Sequence, residues 1–153
     1  GRRDRNGTAF EFHKSLFLYN GHRIEEPVED LVVVEGFSSV WSLVQHGIAS
    51  VVAVMGASCS KEQAHLITSM VVPDGRVWVM PDGDAAGEKC ALSVLAQISK
   101  DRWTRWVQLE PGSQPTDVVP DEVDALLSFP AQEKRSGDRT APYARTPDKK
   151  KSV

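Results

Sequence analysis

Three carboxylates stand where apolar runs give out. Glu35 closes the run "LVVVEG", and Asp82 and Asp84 lie one residue apart in "VWVMPDGDAAGEKCA". A hard cation such as Mg²⁺ takes oxygen ligands, commonly one or two carboxylates completed by water and substrate phosphate. A D-x-D pair leaving a strand end can offer both side chains to one such ion. Glu35 could bind metal too, or exchange a proton with an attacking hydroxyl, the work of a general acid/base carboxylate. Gly36 and Gly83 would let backbone and phosphate approach closely.

Other readings compete. Asp-Gly is a hairpin signal only when a strand follows, and here a helix-periodic segment follows. Asp84 can be the N-cap of that helix and still bind metal. An EF-hand loop opening at Asp82 would place Gly87 correctly but fails at Ala86 and Ser93, where it needs oxygen ligands. A phosphatase that phosphorylates an aspartate would want a hydroxyl at Ala86. A lone D-x-D is weak; joined to a strand-end Glu-Gly, it favours a metal site. Lys89, one turn into the following helix, could reach a phosphate or simply be solvated. His46 and His65 read as ordinary helix residues, Trp41 and Trp78 as core, and Trp103 and Trp106 as core or edge. Cys59 and Cys90 read as small hydrophobes.

The elements that would position these residues alternate. "LVVVEG", "SVVAVMGA", "RVWVMPD" and "RWVQLEPG" are strand-like runs. Between them come "SSVWSLVQHG", with Val40, Leu43 and Val44 at helical spacing, "SKEQAHLITSMV", with Ser60 and Gln63 at capping-box spacing, and "AAGEKCALSVLAQISK", with Ala91, Val94, Leu95 and Ile98 at i, i+3, i+4, i+7. "PDEVDALLSF" is a closing helix with acids in its first turn. Strands alternating with helices of this length imply parallel βαβ units in a sheet covered on both faces, with the ligand site at the strands' C-terminal ends. About four parallel strands with helices on both faces, a Rossmann-like α/β fold, are expected. The segment "FEFHKSLFLYNGHRI" is expected to cap the sheet as a strand and turn. The stretch 131–153, polar and aperiodic, is expected to be a disordered basic tail.

The 153 residues, 41% hydrophobic and 25% charged, have the balance of one ordinary globular domain. No apolar run reaches the roughly 18 residues that cross a membrane, and the basic start "GRRDRNGTAF" has no apolar core of a secretory signal. With two cysteines outside any CxxC pair, neither a disulfide framework nor a zinc ribbon is expected, and a cytoplasmic location is. The net charge of −3 conceals basic ends around an acidic body, a pattern that fits metal in the body and either polyanion contacts at the ends or, the reading preferred for the tail, ends that simply stay solvated.

"VVVEGFSSVWSLVQHGIASVVAVMGAS" followed by "VMPDGDAAGEKCA" resembles the TOPRIM domain shared by bacterial-type (DnaG-type) primases, topoisomerases and some nucleases. Glu35, Gly56, Asp82 and Asp84 match that family's pattern. The string Asp82-Gly83-Asp84-x-Ala86-Gly87 with Lys89 resembles the primase branch, as does "SCSKEQ". Upstream, "FHKSLFLYN" is similar to the primase stretch in which a lysine precedes a Leu-Tyr pair, matched by Lys14, Leu18 and Tyr19. The resemblance covers roughly residues 12–127 and implies an extension over 1–27, a TOPRIM domain over 28–130 and the tail beyond. It further implies Mg²⁺ or Mn²⁺ held by Glu35, Asp82 and Asp84, with Glu35 a proposed acid/base. Lys14 and Lys89 would contact phosphates. The implied activity is RNA primer synthesis from nucleoside triphosphates on a single-stranded DNA template, in a fragment of a larger protein. A zinc-binding domain and other replication proteins are implied partners. Ser39, Gln114 and Thr116 stand at usually acidic positions, with Asp117 one step late. A TOPRIM nuclease and a non-catalytic metal- and nucleic-acid-binding module are the alternatives.

Overall fold

The structure is a computed structural model and describes residues 13–127; the expected tail and the start of the N-terminal extension lie outside that range. Strands β1 (Val28–Val34), β2 (Val51–Ala53), β3 (Val71–Val79) and β4 (Trp103–Trp106) alternate with helices α1 (Phe37–Gln45), α2 (Lys61–Ser69) and α3 (Ala85–Ile98), and α4 (Pro120–Leu127) follows. The strands form one sheet in the order β2-β1-β3-β4, each neighbouring pair parallel. The fold is the expected α/β arrangement, and β1 and β3 are its central strands.

Continuous Val-rich strands have no polar face because both faces are covered. Leu31, Val33, Val52, Val77 and Val79 point to one side, where they pack with Ala64 and Ile67 of α2 and Cys90, Ala91, Val94 and Ile98 of α3. Val32, Val34, Val51, Ala53 and Trp78 point to the other, against Val40 and Leu43 of α1 and Val123 and Leu127 of α4.

Some boundaries differ from the expectation. β3 begins at Val71, ahead of "RVWVMPD", because Val71 pairs with Val28 before the register shifts, and pairing resumes at Asp30 with Arg76. The intervening Pro73-Asp74-Gly75 is turn-like in composition, so strand periodicity fails just where the strand bulges. β4 also begins earlier, at Trp103. Trp41, expected in the core, and Val44, at helical spacing with Val40 and Leu43, are 54% and 44% exposed. The stripe that α1 lays on the sheet is Val40 and Leu43; residues 41 and 44 each follow one of these by a single step, about 100° around the helix.

A buried polar cluster crosses the two central strands. Arg76 donates to Asp30 through Nε at 2.5 Å and Nη2 at 2.7 Å, and Trp78 Nε1 donates to Asp30 Oδ1 at 3.0 Å. Trp78 in turn meets Trp103 of the edge strand edge-on at 4.9 Å.

The N-terminal segment is two 3-10 turns, Lys14–Leu16 and Gly21–Arg23, rather than a strand. It still protects the β2 edge: Tyr19 and Ala53 exchange backbone hydrogen bonds at 2.9 and 3.2 Å, and Asn20 Nδ2 donates to Val51 O at 2.9 Å. The buried Gln63 of α2 anchors this arm, its Nε2 lying within hydrogen-bond distance of the carbonyls of Lys14, Phe17 and Val54. Its Oε1 accepts from Ser60 N while Ser60 Oγ accepts from Gln63 N, the capping box that the spacing announced. The 14-residue α3 is the longest helix among the described residues, and no described helix is long and apolar enough to cross a membrane.

Candidate active site

β1, β2 and β3 run in parallel, so their C-terminal ends open on one edge, and each ends in a turn bearing a residue singled out above. Glu35 follows β1, Gly56 follows β2, and Asp82 and Asp84 follow β3. Backbone hydrogen bonds tie these turns together: Val54 N donates to Val34 O at 3.1 Å, Met55 N to Glu35 O at 2.7 Å, and Met80 N to Val33 O at 2.9 Å. Met55 takes a left-handed φ of 61° to make this junction, a strained conformation for a non-glycine residue that is typical of functional turns.

The two halves of the motif then meet directly. Asp82 N donates to Glu35 Oε1 at 3.0 Å. Asp84 caps α3, its Oδ1 accepting from Gly87 N at 2.7 Å. Two glycines make this closeness possible. A Cβ at Gly87 would collide with the Asp82 carbonyl and come 2.9 Å from Glu35 Oε1; one at Gly83 would collide with the Glu110 carbonyl. Gly83 also pairs with the loop after β4, its N–H donating to Ser113 O at 2.7 Å and its O accepting from Gly112 N at 2.8 Å.

Electrostatics bear the mark of crowded acids. Burial pushes the Glu35 carboxyl above its usual range, a hydrogen bond from the Asp82 backbone opposes this, and the Asp82 and Asp84 charges push it further up. Asp82 is raised by burial, then by the charges of Asp84 and Asp117. Asp117 thus reaches the cluster, though sequence reasoning did not include it among the site residues; its only signal was its place one step past a usually acidic position. Its Oδ2 accepts from Gln114 N at 2.8 Å within the 3-10 turn Pro115–Asp117. That turn packs against α1, which carries the buried Ser39. Beneath the acids lies the thiol of Cys90, pushed up to about 12 by burial and then by the charges of Glu35, Cys59 and Asp82. Cys59 is raised by burial to about 11. Both are buried and protonated at neutral pH, which suits them as packing groups.

Lys14 reaches the same edge: its Nζ lies 3.6 Å from where a Cβ of Gly56 would be. Lys89 is exposed one turn into α3. Among the described residues, no three His, Cys, Asp or Glu side chains converge as a ready-made metal cage. The acids present are all oxygen donors, and their crowding raises the proton affinity of Glu35 and Asp82, a donor set suited to a hard cation that keeps water and takes substrate phosphate as ligand.

Comparison with known proteins agrees with this fold. The family model described as Toprim-like matches residues 32–119. The chain is 32% identical over 114 residues to the DNA primase of Geobacillus stearothermophilus, covering 72% of this chain and 18% of that relative. The chain therefore spans about a fifth of the length of such curated relatives. Among solved structures, the DnaG primase catalytic domain bound to ssDNA is similar with a TM-score of 0.60 and 29% identity, over 81% of this chain and 40% of that one. The zinc-binding and RNA polymerase domains of Aquifex aeolicus primase give a TM-score of 0.63 and 27% identity, over 75% of this chain and 30% of that one.

Proposed function

This chain belongs to the Toprim-like family and is related to the bacterial DNA primases, and on that premise we propose that it carries the metal-dependent catalytic carboxylates of a primase-type nucleotidyltransferase. The observation that carries the reading is the direct junction of the two motif halves, Asp82 N–H on Glu35 Oε1, at the shared ends of parallel strands. In this reading the chain is the TOPRIM part of a larger cytoplasmic replication protein and makes RNA primers on single-stranded DNA. A zinc-binding domain, as in the Aquifex structure, and other replication proteins are its proposed partners.

Asp82 and Asp84 would hold Mg²⁺ or Mn²⁺, with Glu35 a third ligand or the acid/base. When bound, the ion supplies positive charge to the triphosphate and to the attacking hydroxyl, the main demand of phosphoryl transfer. Burial and the acidic neighbours raise the proton affinity of Glu35 above that of an ordinary carboxylate, the direction an acid/base role calls for. The Asp82 N–H holds one Glu35 oxygen in place and leaves the other for the proton. Lys14, across the edge at Gly56, and Lys89 on α3 would contact nucleotide or template phosphates.

The test is incubation with single-stranded template, ribonucleoside triphosphates and Mn²⁺. New oligoribonucleotides that vanish in Asp82→Asn and Glu35→Gln variants are expected; products that persist in those variants would sink the site assignment. Template degradation in place of synthesis would indicate a TOPRIM nuclease. A second reading, a metal- and nucleic-acid-binding module without catalysis, is favoured by Ser39, Gln114 and Thr116 at usually acidic positions. Metal binding with neither product would establish it.

A further inference from the structure

The residue that follows Glu35-Gly36 is aromatic, and it is not buried. Phe37, at the first position of α1, is 53% exposed, and Trp41, one turn on, is 54% exposed. Val44, 44% exposed, continues the line. These residues stand at i, i+4 and i+7, so they form one stripe of the helix beside the stripe that packs on the sheet. At 1.5 Å per residue the stripe runs about 10 Å away from the carboxylate edge.

The rings are held in place. Phe37 lies 5.3 Å from Trp41 and 6.1 Å from Tyr19, measured between centroids. Trp41 Nε1 donates to the Tyr19 hydroxyl at 2.7 Å, and Tyr19 is itself pinned by its backbone pairing with Ala53. An exposed tryptophan normally buries its ring or finds a partner protein; here a dedicated hydrogen bond fixes it beside a second exposed ring. Five residues before Tyr19, Lys14 extends its ammonium to Gly56, so a positive charge lies at the same sheet end.

We infer that Phe37 and Trp41 form a stacking platform for bases of the single-stranded template, leading it along α1 to the carboxylates. Aromatic faces beside a positive charge are how sequence-tolerant single-strand binding is built, the rings taking bases and the cation the backbone. The geometry selects a strand over a mononucleotide: the two ring planes are inclined at 59°, so they cannot clamp one flat base between them but can each serve one of two successive bases. The inference rests on the template-directed reading above and adds the residues that hold the template.

The test is the affinity of the whole chain for a short fluorescein-labelled oligothymidylate, read by anisotropy in Mg²⁺, with folding checked by thermal melting. Phe37→Leu and Trp41→Ala are each expected to weaken binding roughly 5- to 150-fold, the range for loss of one stacked base. Phe37→Tyr and Trp41→Tyr, which keep a ring, should restore it. Leu92→Ala, an equally exposed apolar site on α3, should leave it unchanged. Oligonucleotide binding that is indifferent to Phe37→Leu and Trp41→Ala overturns the platform while leaving the primase reading standing. Displacement of the oligonucleotide by equimolar nucleoside triphosphate overturns it in favour of a mononucleotide site. Conversion of a dimer to a monomer by Trp41→Ala at unchanged DNA affinity assigns the face to a second copy and also overturns it. If the unaltered chain binds no single strand, both the platform and the template reading fall.

Discussion

At residue 87 a side chain has no room, because the Asp82 carbonyl and the Glu35 carboxylate already occupy the space a Cβ would need. Gly87 is what allows α3 to start close enough for Asp84 to cap it while Asp82 N–H reaches Glu35. Gly87→Ala is therefore expected to destabilise the fold by about 1–3 kcal/mol, as overpacking does, and to reduce metal-dependent activity by separating Glu35 from Asp82. Urea unfolding and primer synthesis measured on the same preparation check this; unchanged activity would detach the glycine from the site. The string Asp82-Gly83-Asp84-x-Ala86-Gly87 was legible in the sequence, and so was Glu35 as a companion. Its crowding was not, since nothing near Gly87 in the chain says that residue 35 lies against it. Asp117 escaped for the same reason: the Asp82 charge it acts on is far along the chain.

Among the elements, α2 shows how a local signal conceals a distant one. Ser60 and Gln63 were readable as a capping box because three-residue spacing is all that the motif requires. That the amide of Gln63 also holds the carbonyls of Lys14, Phe17 and Val54 depends on how the arm folds back, over separations of 46 to 49 residues for the first two. Gln63→Leu keeps the volume but leaves those carbonyls without their donor, so a loss of about 1–3 kcal/mol is expected. It should also release Lys14 from its place at Gly56, so that nucleic-acid affinity falls more than in Lys61→Ala, an exposed change on the same helix. Denaturant unfolding with anisotropy of a labelled oligonucleotide would read both effects. The same contrast governs α1. Its helical spacing was clear, yet which neighbouring stripe faced the sheet was not, and Trp41 and Val44 proved to lie outside the core.

Across the whole molecule the acidic crevice opposes stability and favours ligand. Glu35 and Asp82 hold protons more tightly in the folded chain than at their ordinary values of 4.5 and 3.8. The stability they contribute is thus fully present below those values and is lost as pH rises through their higher folded-state values. In Mg²⁺-free buffer the melting temperature should fall across that window, and Asp82→Asn should flatten the fall. Added Mg²⁺ should raise the melting temperature at neutral pH by mass action, and much less in Asp82→Asn; an equal rise in both proteins would remove Asp82 from the metal site. What the sequence by itself determined was everything held within a few neighbouring residues: apolar runs long enough for strands, helical spacing, the capping box, and the Glu-Gly and Asp-x-Asp endings that carry the family likeness. Only the tertiary structure decided which distant groups share a place. The Asp30–Arg76–Trp78 cluster spans separations of 46 and 48 residues, and the Asp82 to Glu35 hydrogen bond spans 47. The physical reason is common to all three: parallel pairing of β1 with β3 brings their residues into register, and no local window of the chain contains both strands.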